Sequence, residues 1–434
     1  MTLLDSPHSV AVAVLTLSRN LCLLPALCCL TGCGYTESPS TARLAPAAFP
    51  QGIERGPQLA LPSPRSMTIA WRSFIRTQGA VVYWSDGGAA HTVAEASVTM
   101  AHAILLEGLE PATTYFYQVL QDEEPVGEVH SFSTASEEFG AALRFAVLGD
   151  HGCGCTAQYS LIDVIKDREP DLVLTTGDNA YYTGSETEVL QNYFVPLASL
   201  MDHVPVYPCL GNHDVMTENG RPLLDSVYLP TNDADGTERF YSFDRGDCHF
   251  IALDSNQDLS EESLQYEWLE DDLQRTGATW IICYFHHPIY SDSSHGDALW
   301  LQCILPPLFD RYGVDLVLSG HDHNYQRTYP IRGLENRLGC ISPPMGCWET
   351  ADAAMEPSYL SPNGTIYVVT GGGGWSLYPI WQCFLRLAAG EERFHTVIVD
   401  VAGGELTLSA VDKEGVVFDT MSITKTLPIG GEGD

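Results

Sequence analysis

Six short segments along the chain carry the side chains that could do chemistry. Five of them hold carboxylate, amide, imidazole or phenol groups, and the sixth is a run of glycines. In chain order they are Gly149-Asp150-His151-Gly152, Gly177-Asp178-Asn179-Ala180-Tyr181, Gly211-Asn212-His213-Asp214, His286-His287-Pro288, Gly320-His321-Asp322-His323 and Gly371-Gly372-Gly373-Gly374. These donor types suit hard or borderline metal ions. Chance rarely supplies five ligand-bearing segments in order behind apolar runs, so the set predicts a two-metal phosphoester site.

The elements that must position these segments are alternating strands and helices, which begin at Leu143. Apolar runs predict strands at residues 144–148, 172–175, 204–207, 280–284 and 314–318. Longer stretches predict helices at residues 158–167, 260–275 and 299–312. Ligands of open α/β sheets bind at the carboxyl ends of the strands. We therefore expect the motifs to meet at one edge.

The segment from residue 48 to about 135 has a different sequence pattern, which predicts short strands separated by turns and no helix. Strands are predicted at residues 67–71, 80–84, 102–106 and 115–119. Residues 109–115 resemble the tyrosine corner of fibronectin type III sandwiches. Trp71 and Trp84 are interpreted as core residues in preference to carbohydrate-binding ones. This part is therefore predicted to be a separate β domain.

The charge of the chain narrows the choice of partners. There are 56 Asp plus Glu against 21 Lys plus Arg, for a formal net charge of −35. Such a chain is not expected to bind nucleic acid or an anionic membrane surface. Most of these acids are interpreted as a solvated surface. A phosphate ester would need local cations, and metal ions are the obvious source. Nothing in the sequence indicates an oligomeric state.

The N-terminus has the pattern of a targeting segment. Residues 21–30 are an apolar run too short to span a bilayer, and Leu30-Thr31-Gly32-Cys33 resembles a bacterial lipobox. The resemblance implies a signal peptide at residues 1–33, cleavage before Cys33, and lipidation of its thiol. Residues 34–47 then read as a tether. An ordinary secretory signal and an uncleaved anchor are the alternatives. The expected location is the outer membrane, periplasm or cell surface, or the medium.

Nine cysteines lie beyond Cys33, and in an exported protein some of them should pair. Cys340 and Cys347 flank a loop that contains Pro-Pro and are the best candidates for a disulfide. Cys209 and Cys283 lie in strand-like runs and are predicted to be buried thiols.

Residues 60–425 resemble the purple acid phosphatases, a branch of the calcineurin-like metallophosphoesterases, in the order of the motifs and in the β domain before them. The resemblance implies an all-β fibronectin III-like sandwich at residues 48–136. It also implies an α/β catalytic domain at residues 142–426, with four layers in the order αββα. The superfamily commonly has Asp-x-His in the first motif, whereas Gly152 stands here. Tyr181, three residues after Asp178, matches the branch's replacement ligand.

The resemblance also assigns ligands and metals. It implies that Asp150, Asp178, Tyr181 and His323 hold one ion, and that Asp178, Asn212, His286 and His321 hold a second, with Asp178 bridging. Phenolate is a hard anionic donor, which favours Fe(III) in the first position. The second position suits a divalent ion, which could be Zn, Mn or Fe. A hydroxide bound to these metals would then attack a phosphomonoester.

Other polar residues receive supporting roles. His213 and His295 are expected to line the phosphate pocket, where they would bind phosphoryl oxygens or protonate the leaving oxygen. Asp214 and Asp322 are expected to orient imidazoles, and His151 is expected to support the loop without binding metal. Histidines without a motif are interpreted as structural; they are His91, His102, His130, His203, His249 and His395.

The sequence favours an exported phosphomonoesterase of the acid phosphatase type acting on small phosphate esters. A phosphodiesterase or nucleotide hydrolase would use the same ligands, because the loops at residues 216–240, 291–298 and 331–363 would make the distinction. A surface binding protein with an inactive catalytic domain is a third hypothesis, which the intact ligand set disfavours.

Overall fold

A computed structural model describes residues 49–233, 236–333, 348–350, 352–381 and 386–426. The signal-like segment, the tether and the expected Cys340–Cys347 pair lie outside these residues. Cys209 and Cys283 are buried free thiols, as predicted, and a disulfide joins Cys153 to Cys155. No helix in the described ranges is long and apolar enough to cross a membrane.

The first part of the described chain is a five-stranded antiparallel sheet. Its strands are β1 (Ile53–Ser63), β2 (Ser66–Ser85), β3 (His91–Glu107), β4 (Thr114–Gln121) and β5 (Glu124–Ser133). Strand β2 pairs with β1, β3 and β4, and β5 pairs with β4. Trp71 is buried in the core of this sheet as predicted, whereas Trp84 is only partly buried. The Tyr115 hydroxyl accepts a hydrogen bond from the Glu110 amide at 2.9 Å, which is the contact expected of a tyrosine corner.

Two seven-stranded sheets form the second part. Sheet I has the order β16-β21-β20-β19-β6-β7-β8 and sheet II the order β18-β13-β17-β12-β11-β10-β9. Their strands are β6 (Leu143–Leu148), β7 (Leu172–Thr175), β8 (Val206–Pro208), β9 (Tyr241–Arg245), β10 (Cys248–Ala252), β11 (Trp280–Tyr284), β12 (Leu316–Ser319), β13 (Tyr325–Thr328), β16 (Ser358–Leu360), β17 (Ile366–Thr370), β18 (Leu387–Glu391), β19 (His395–Ala402), β20 (Glu405–Asp412) and β21 (Val417–Thr424). A small ribbon pairs β14 (Ile331–Gly333) with β15 (Trp348–Thr350).

Within the described residues, seven α-helical segments accompany these sheets. They are α1 (Thr156–Asp167), α2 (Glu186–Glu188), α3 (Val195–Met201), α4 (Arg221–Leu224), α5 (Leu264–Arg275), α6 (Leu299–Gln302) and α7 (Leu305–Tyr312). A π-helical segment, Val189–Phe194, joins α2 to α3. The helix predicted at residues 299–312 is broken into α6 and α7, because Pro306 and Pro307 have no N–H to continue the ladder. Helix α5 begins at its N-cap Ser263, whose hydroxyl accepts the Tyr266 amide, and so starts later than predicted.

The central strands of sheet II are buried on both faces. Phe250 and Ile282 belong to a core shared with sheet I, and their neighbours Ile251 and Cys283 belong to a second core that includes α5 and α7. Successive side chains of a strand point to opposite faces, so a run without polar residues fits a sheet covered on both sides. This burial explains why the runs before the motifs are continuously apolar. The fibronectin III-like and four-layer descriptions stay predictions.

The five-stranded sheet contacts the second part through specific hydrogen bonds. The buried Gln58 amide donates to the Ser226 carbonyl at 3.0 Å. The hydroxyl of Tyr117, which is fully buried, donates to the carbonyl of Asp202 at 2.8 Å. The described residues accordingly belong to one compact unit.

Candidate metal centre

The motifs lie directly after parallel strands of both sheets. Asp150, Asp178 and Asn212 follow β6, β7 and β8 of sheet I, and His286 and His321 follow β11 and β12 of sheet II. The carboxyl ends of parallel strands meet at one edge of a sheet, and here the two edges adjoin. The structure therefore brings together all seven predicted ligands.

One group of donors consists of Asp150, Tyr181 and His323. The Tyr181 hydroxyl lies 3.2 Å from Asp150 Oδ1 and 3.2 Å from His323 Nε2. His323 Nε2 is 3.3 Å from the same Asp150 oxygen. The three side chains are buried, so their donor atoms form a closed triangle shielded from bulk water.

A second group consists of Asn212, His286 and His321. His286 Nε2 lies 2.9 Å from Asn212 Oδ1 and 3.1 Å from His321 Nδ1. Asp178 connects the groups, since its Oδ1 is 3.5 Å from His286 Nε2 and its carboxylate also contacts the Tyr181 hydroxyl. One ligand atom each from Asp150, Asp178 and His286 fits within 4.8 Å of the others. Asp178 is therefore placed where a bridging ligand would lie.

The hydrogen-bond partners of two imidazoles indicate that the donor set fits a cation. His286 Nδ1 faces the Thr176 carbonyl at 2.9 Å, and His323 Nδ1 faces the Ser376 carbonyl at 2.7 Å, so each Nδ1 carries the proton. In the neutral imidazole each Nε2 then presents a lone pair. Those lone pairs face the acceptor oxygens of Asn212 and Asp150. Lone pairs that face each other favour a shared cation, and backbone carbonyls that fix the tautomer are typical partners of metal-binding histidines.

Without a cation, the buried carboxylates dominate the electrostatics of the cluster. Burial lowers the pKa of His286, but the charges of Asp178 and Asp150 outweigh it and raise the pKa overall. Burial raises the pKa of the Tyr181 phenol well above its usual value, and the same two carboxylates raise it further. Tyr181 therefore stays neutral beside these acids unless a cation compensates the phenolate.

Three of the ligands have strained backbones. Asp150, Asp178 and His321 have φ angles of 55°, 51° and 69°, in the left-handed region that non-glycine residues rarely adopt. Such conformations cost about 1–3 kcal/mol each and cluster at functional sites. The strain is consistent with selection for ligand position over local stability.

The glycine run packs against the first motif. A Cβ atom on Gly373 would lie 2.1 Å from the carbonyl oxygen of Gly149, and one on Gly371 would lie 2.4 Å from that of Asp322. No side chain fits at these distances. The run therefore allows the backbone after β17 to approach the Asp150 and His323 loops.

Two predicted pocket residues lie at different parts of the site. His213 donates its backbone N–H to Asp178 Oδ1 at 2.9 Å and its Nδ1 proton to the Tyr182 carbonyl at 2.7 Å. Its Nε2 is 3.9 Å from Asp178 Oδ2, and the side chain is 32 % exposed, so the ring lies at the opening. The His295 ring stacks on His321 at 4.0 Å.

Asp214 and Asp322 differ from their expected role. Asp214 accepts the backbone amides of Gly211 and Asn179, and Asp322 accepts that of His295, so they hold loops in place and do not orient imidazoles. His151 also lies behind the ligands, where its Nε2 is 3.3 Å from Asn179 Oδ1. Burial lowers the His151 pKa to about 4.

Aromatic residues around the site were missed from the sequence. Trp375 stacks on Tyr181 at 4.4 Å, and Tyr378 stacks on His323 at 4.1 Å. Their position directly after the glycine run was the available signal. His287 also lies here, with its Nδ1 2.8 Å from the Ser255 hydroxyl and its ring 4.6 Å from that of His321.

Comparisons with known proteins agree with this architecture. Residues 143–325 match the family described as calcineurin-like phosphoesterase, and residues 55–134 match the purple acid phosphatase N-terminal domain. The chain is 27 % identical to acid phosphatase type 7 of Danio rerio, over 83 % of this chain and 88 % of that protein. It is 25 % identical to purple acid phosphatase 15 of Arabidopsis thaliana, over 63 % of this chain but only 53 % of that protein.

A solved structure has the same fold. The purple acid phosphatase PPD1 from yellow lupin (Lupinus luteus) seeds superposes with a TM-score of 0.71, at 19 % identity, over 87 % of this chain and 77 % of that one. The architecture is therefore an N-terminal sheet domain followed by a calcineurin-like phosphoesterase domain.

Proposed function

Because this chain belongs to the purple acid phosphatase family of calcineurin-like phosphoesterases and is a metal-dependent phosphoesterase, we propose that it is an exported phosphomonoesterase with a binuclear centre. The observation that carries the proposal is the convergence of seven donor side chains from both sheets, with two imidazole Nε2 lone pairs aimed at acceptor oxygens. A cation at each of two adjacent positions accounts for that arrangement.

The two groups of donors define the two positions. Asp150, Tyr181 and His323 would hold the first ion, Asn212, His286 and His321 would hold the second, and Asp178 would touch both. The neutral amide and two imidazoles of the second group suit a divalent ion, and the phenol and two carboxylates of the first suit Fe(III). When bound, such a pair of ions supplies positive charge for the phosphoryl oxygens and makes water acidic enough to react.

The chain's own residues would hold the substrate and move the proton. His213 donates its Nδ1 proton to the backbone of Tyr182, which leaves Nε2 directed toward the space beside Asp178. From there Nε2 can bind a phosphoryl oxygen or carry a proton to the leaving oxygen. His295, stacked on His321, lies on the side of the second group and would contact the ester from there.

Hydrolysis of a phosphodiester or a nucleotide is the second candidate. The ligand set is common to both reactions, so the decision rests on the loops around the opening. The described parts of these loops already contain exposed side chains, including Met216 at 62 %. A substrate panel of monoesters, diesters and nucleotides separates the two candidates, because kcat/KM ranks them directly.

Asp178→Asn tests the binuclear proposal. The change keeps the size of the side chain but removes the charge that both positions share, so we expect metal content and hydrolysis to fall together. Asp86→Asn, at an exposed position of the N-terminal sheet domain, is the matched control. Full activity and an unchanged number of ions per chain in Asp178→Asn would contradict the proposal, and wild-type protein that binds metal without hydrolysing any ester would favour a binding protein.

A further inference from the structure

A second cluster of possible metal ligands lies outside the catalytic centre, where the two domains meet. His130 belongs to β5 of the N-terminal sheet, and Asp202 and His203 follow helix α3 of the other domain. His130 Nδ1 is 3.1 Å from Asp202 Oδ2, and His203 Nδ1 contacts the other oxygen of the same carboxylate. One donor atom from each of the three residues fits within 4.8 Å of the others.

The position of the carboxylate is fixed from both domains. Asp202 ends helix α3, and its carbonyl accepts the hydrogen bond of the buried Tyr117 hydroxyl at 2.8 Å. The rings of His130 and His203 meet edge to face, with centroids 5.6 Å apart. His130 is therefore held by a strand and Asp202 by the end of a helix, so two of the three donors are preorganised, and the half-exposed His203 adjoins them.

The surroundings favour a cation. The cluster borders a cavity of about 690 Å³ whose lining contains four acids, namely Glu128, Glu169, Asp171 and Asp202, against two bases, Lys166 and Arg245. The side chains of His130 and Asp202 are about 15 % exposed, whereas that of His203 is 49 % exposed. An ion bound here would have protein ligands on one side and room for water on the other.

We propose that His130, Asp202 and His203 bind a divalent cation, with Zn²⁺ the best match, that joins the N-terminal sheet to the catalytic domain. Two imidazoles and a carboxylate with an open fourth position are a ligand set that zinc accepts. Tetrahedral bonds of about 2.1 Å separate neighbouring ligand atoms by roughly 3.4 Å, which is close to the 3.1 Å between His130 and Asp202. A hydrogen-bonded His–Asp–His chain without metal would give the same contacts. The experiment must therefore count bound zinc ions.

The experiment measures zinc per chain after equilibration with zinc and removal of the excess, by plasma mass spectrometry. We expect His203→Ala and Asp202→Asn to hold one zinc ion fewer than wild type. His91→Ala, which changes an exposed histidine of the same sheet domain, should match wild type. This difference does not depend on how many ions the catalytic centre holds, nor on whether the protein hydrolyses phosphate esters, so it is separate from the proposed function.

Thermal unfolding supplies a second measurement. Zinc at about 100 times its Kd should raise the Tm of wild type by roughly 3 °C more than that of His203→Ala, because only the native state brings the domains together. Equal zinc content and equal Tm shifts in wild type and variants would overturn the site and leave a hydrogen-bonded chain. If Asp202→Asn does not fold, the His203→Ala variant alone decides the result, because the His203 side chain is half exposed. If His203→Ala or Asp202→Asn lost hydrolysis together with several metal ions, the cluster would not be a separate site.

Discussion

The Nδ1 atom of His286 lies 2.9 Å from the carbonyl oxygen of Thr176. Thr176 follows β7 of sheet I and His286 follows β11 of sheet II, so this hydrogen bond joins the carboxyl ends of the two sheets. It also fixes the tautomer that leaves Nε2 free to bind a metal ion. One contact therefore couples the position of the two sheets to the chemistry of the site.

Tyr181→Phe should remove a visible absorption band. A phenolate on Fe(III) transfers charge in the visible range, so the iron-loaded wild type should be pink to purple and the variant colourless. The fold should be kept, because the ring still stacks on Trp375. Tyr182→Phe is the matched control, since that side chain is 62 % exposed. A colourless wild type that is fully active with zinc alone would remove the iron assignment.

His213→Ala should lower kcat by roughly 10²–10⁴-fold if His213 protonates the leaving oxygen. Metal content should be unchanged, because the side chain lies at the opening and only its backbone N–H binds Asp178. The measurements are steady-state kinetics and metal analysis, with the exposed His91→Ala as control. An undiminished kcat would show that another group protonates the leaving oxygen, and His295 would be the first to test.

Gly373→Ala should destabilise the loop after β17. A new Cβ would lie 2.1 Å from the Gly149 carbonyl, so the first motif must move. We expect a Tm lower by roughly 2–6 °C together with weaker metal binding. Gly277→Ala is the control, because its Cβ would meet nothing within 4 Å. An unchanged Tm in Gly373→Ala would show that this close approach is relaxed in solution.

The stability of the protein should depend on pH through His249. Burial lowers the pKa of this imidazole, but Asp244 and Asp272 outweigh it and raise the pKa to about 9. The folded state therefore binds the proton more tightly than the unfolded state, whose pKa is about 6.5. The stabilisation is fully present below about pH 6.5 and is lost as the pH rises through 9.

His249→Gln should remove this contribution. At pH 6 we expect a loss of about 2 kcal/mol after allowance for screening at the exposed Asp244, and a flatter decline of Tm between pH 7 and 9. Thermal unfolding across that range measures both effects. A decline in the variant as steep as that of wild type would assign the pH dependence to other groups.

Lipidation at Cys33 would add mass to the mature N-terminus and place the protein in the membrane fraction. Several acyl chains anchor a protein stably, whereas one chain does so only marginally. Cys33→Ser should release or stall the protein while leaving the catalytic centre intact. Wild-type protein that is free in the periplasm or medium, with an unmodified N-terminus, would leave an ordinary secretory signal as the explanation.

The strand ends and their motifs could be predicted from the sequence because both signals are local. The strand before Asp178 is at residues 172–175 as predicted, and that before His286 is at residues 280–284. Helix α6 ends at Gln302 because of the prolines that follow, a signal present in the sequence but outweighed by the apolar pattern.

The remaining features depend on contacts between distant segments. The carbonyl groups of Thr176 and Ser376 orient two imidazoles, but a backbone carbonyl is common to every residue type and gives no signal. His130 and His203 are 73 positions apart in the sequence and meet only through the contact of the two domains. Their interpretation as structural residues rested on the lack of a motif, which carries no information about such a meeting.

Sheet I joins strands from opposite ends of the second domain. Strand β6, which precedes Asp150, pairs with β7 on one side and with β19 on the other, where Val147 lies opposite Val397. A chain that is still being synthesised has made the residues of the first five motifs before it has made β19. The strand that leads to Asp150 therefore gains its second neighbour only after β19 has been made, and β19 is one of the last three strands among the described residues. A chain that stops before β19 would therefore leave β6 unpaired on the side of Val147, next to the strand end that carries Asp150.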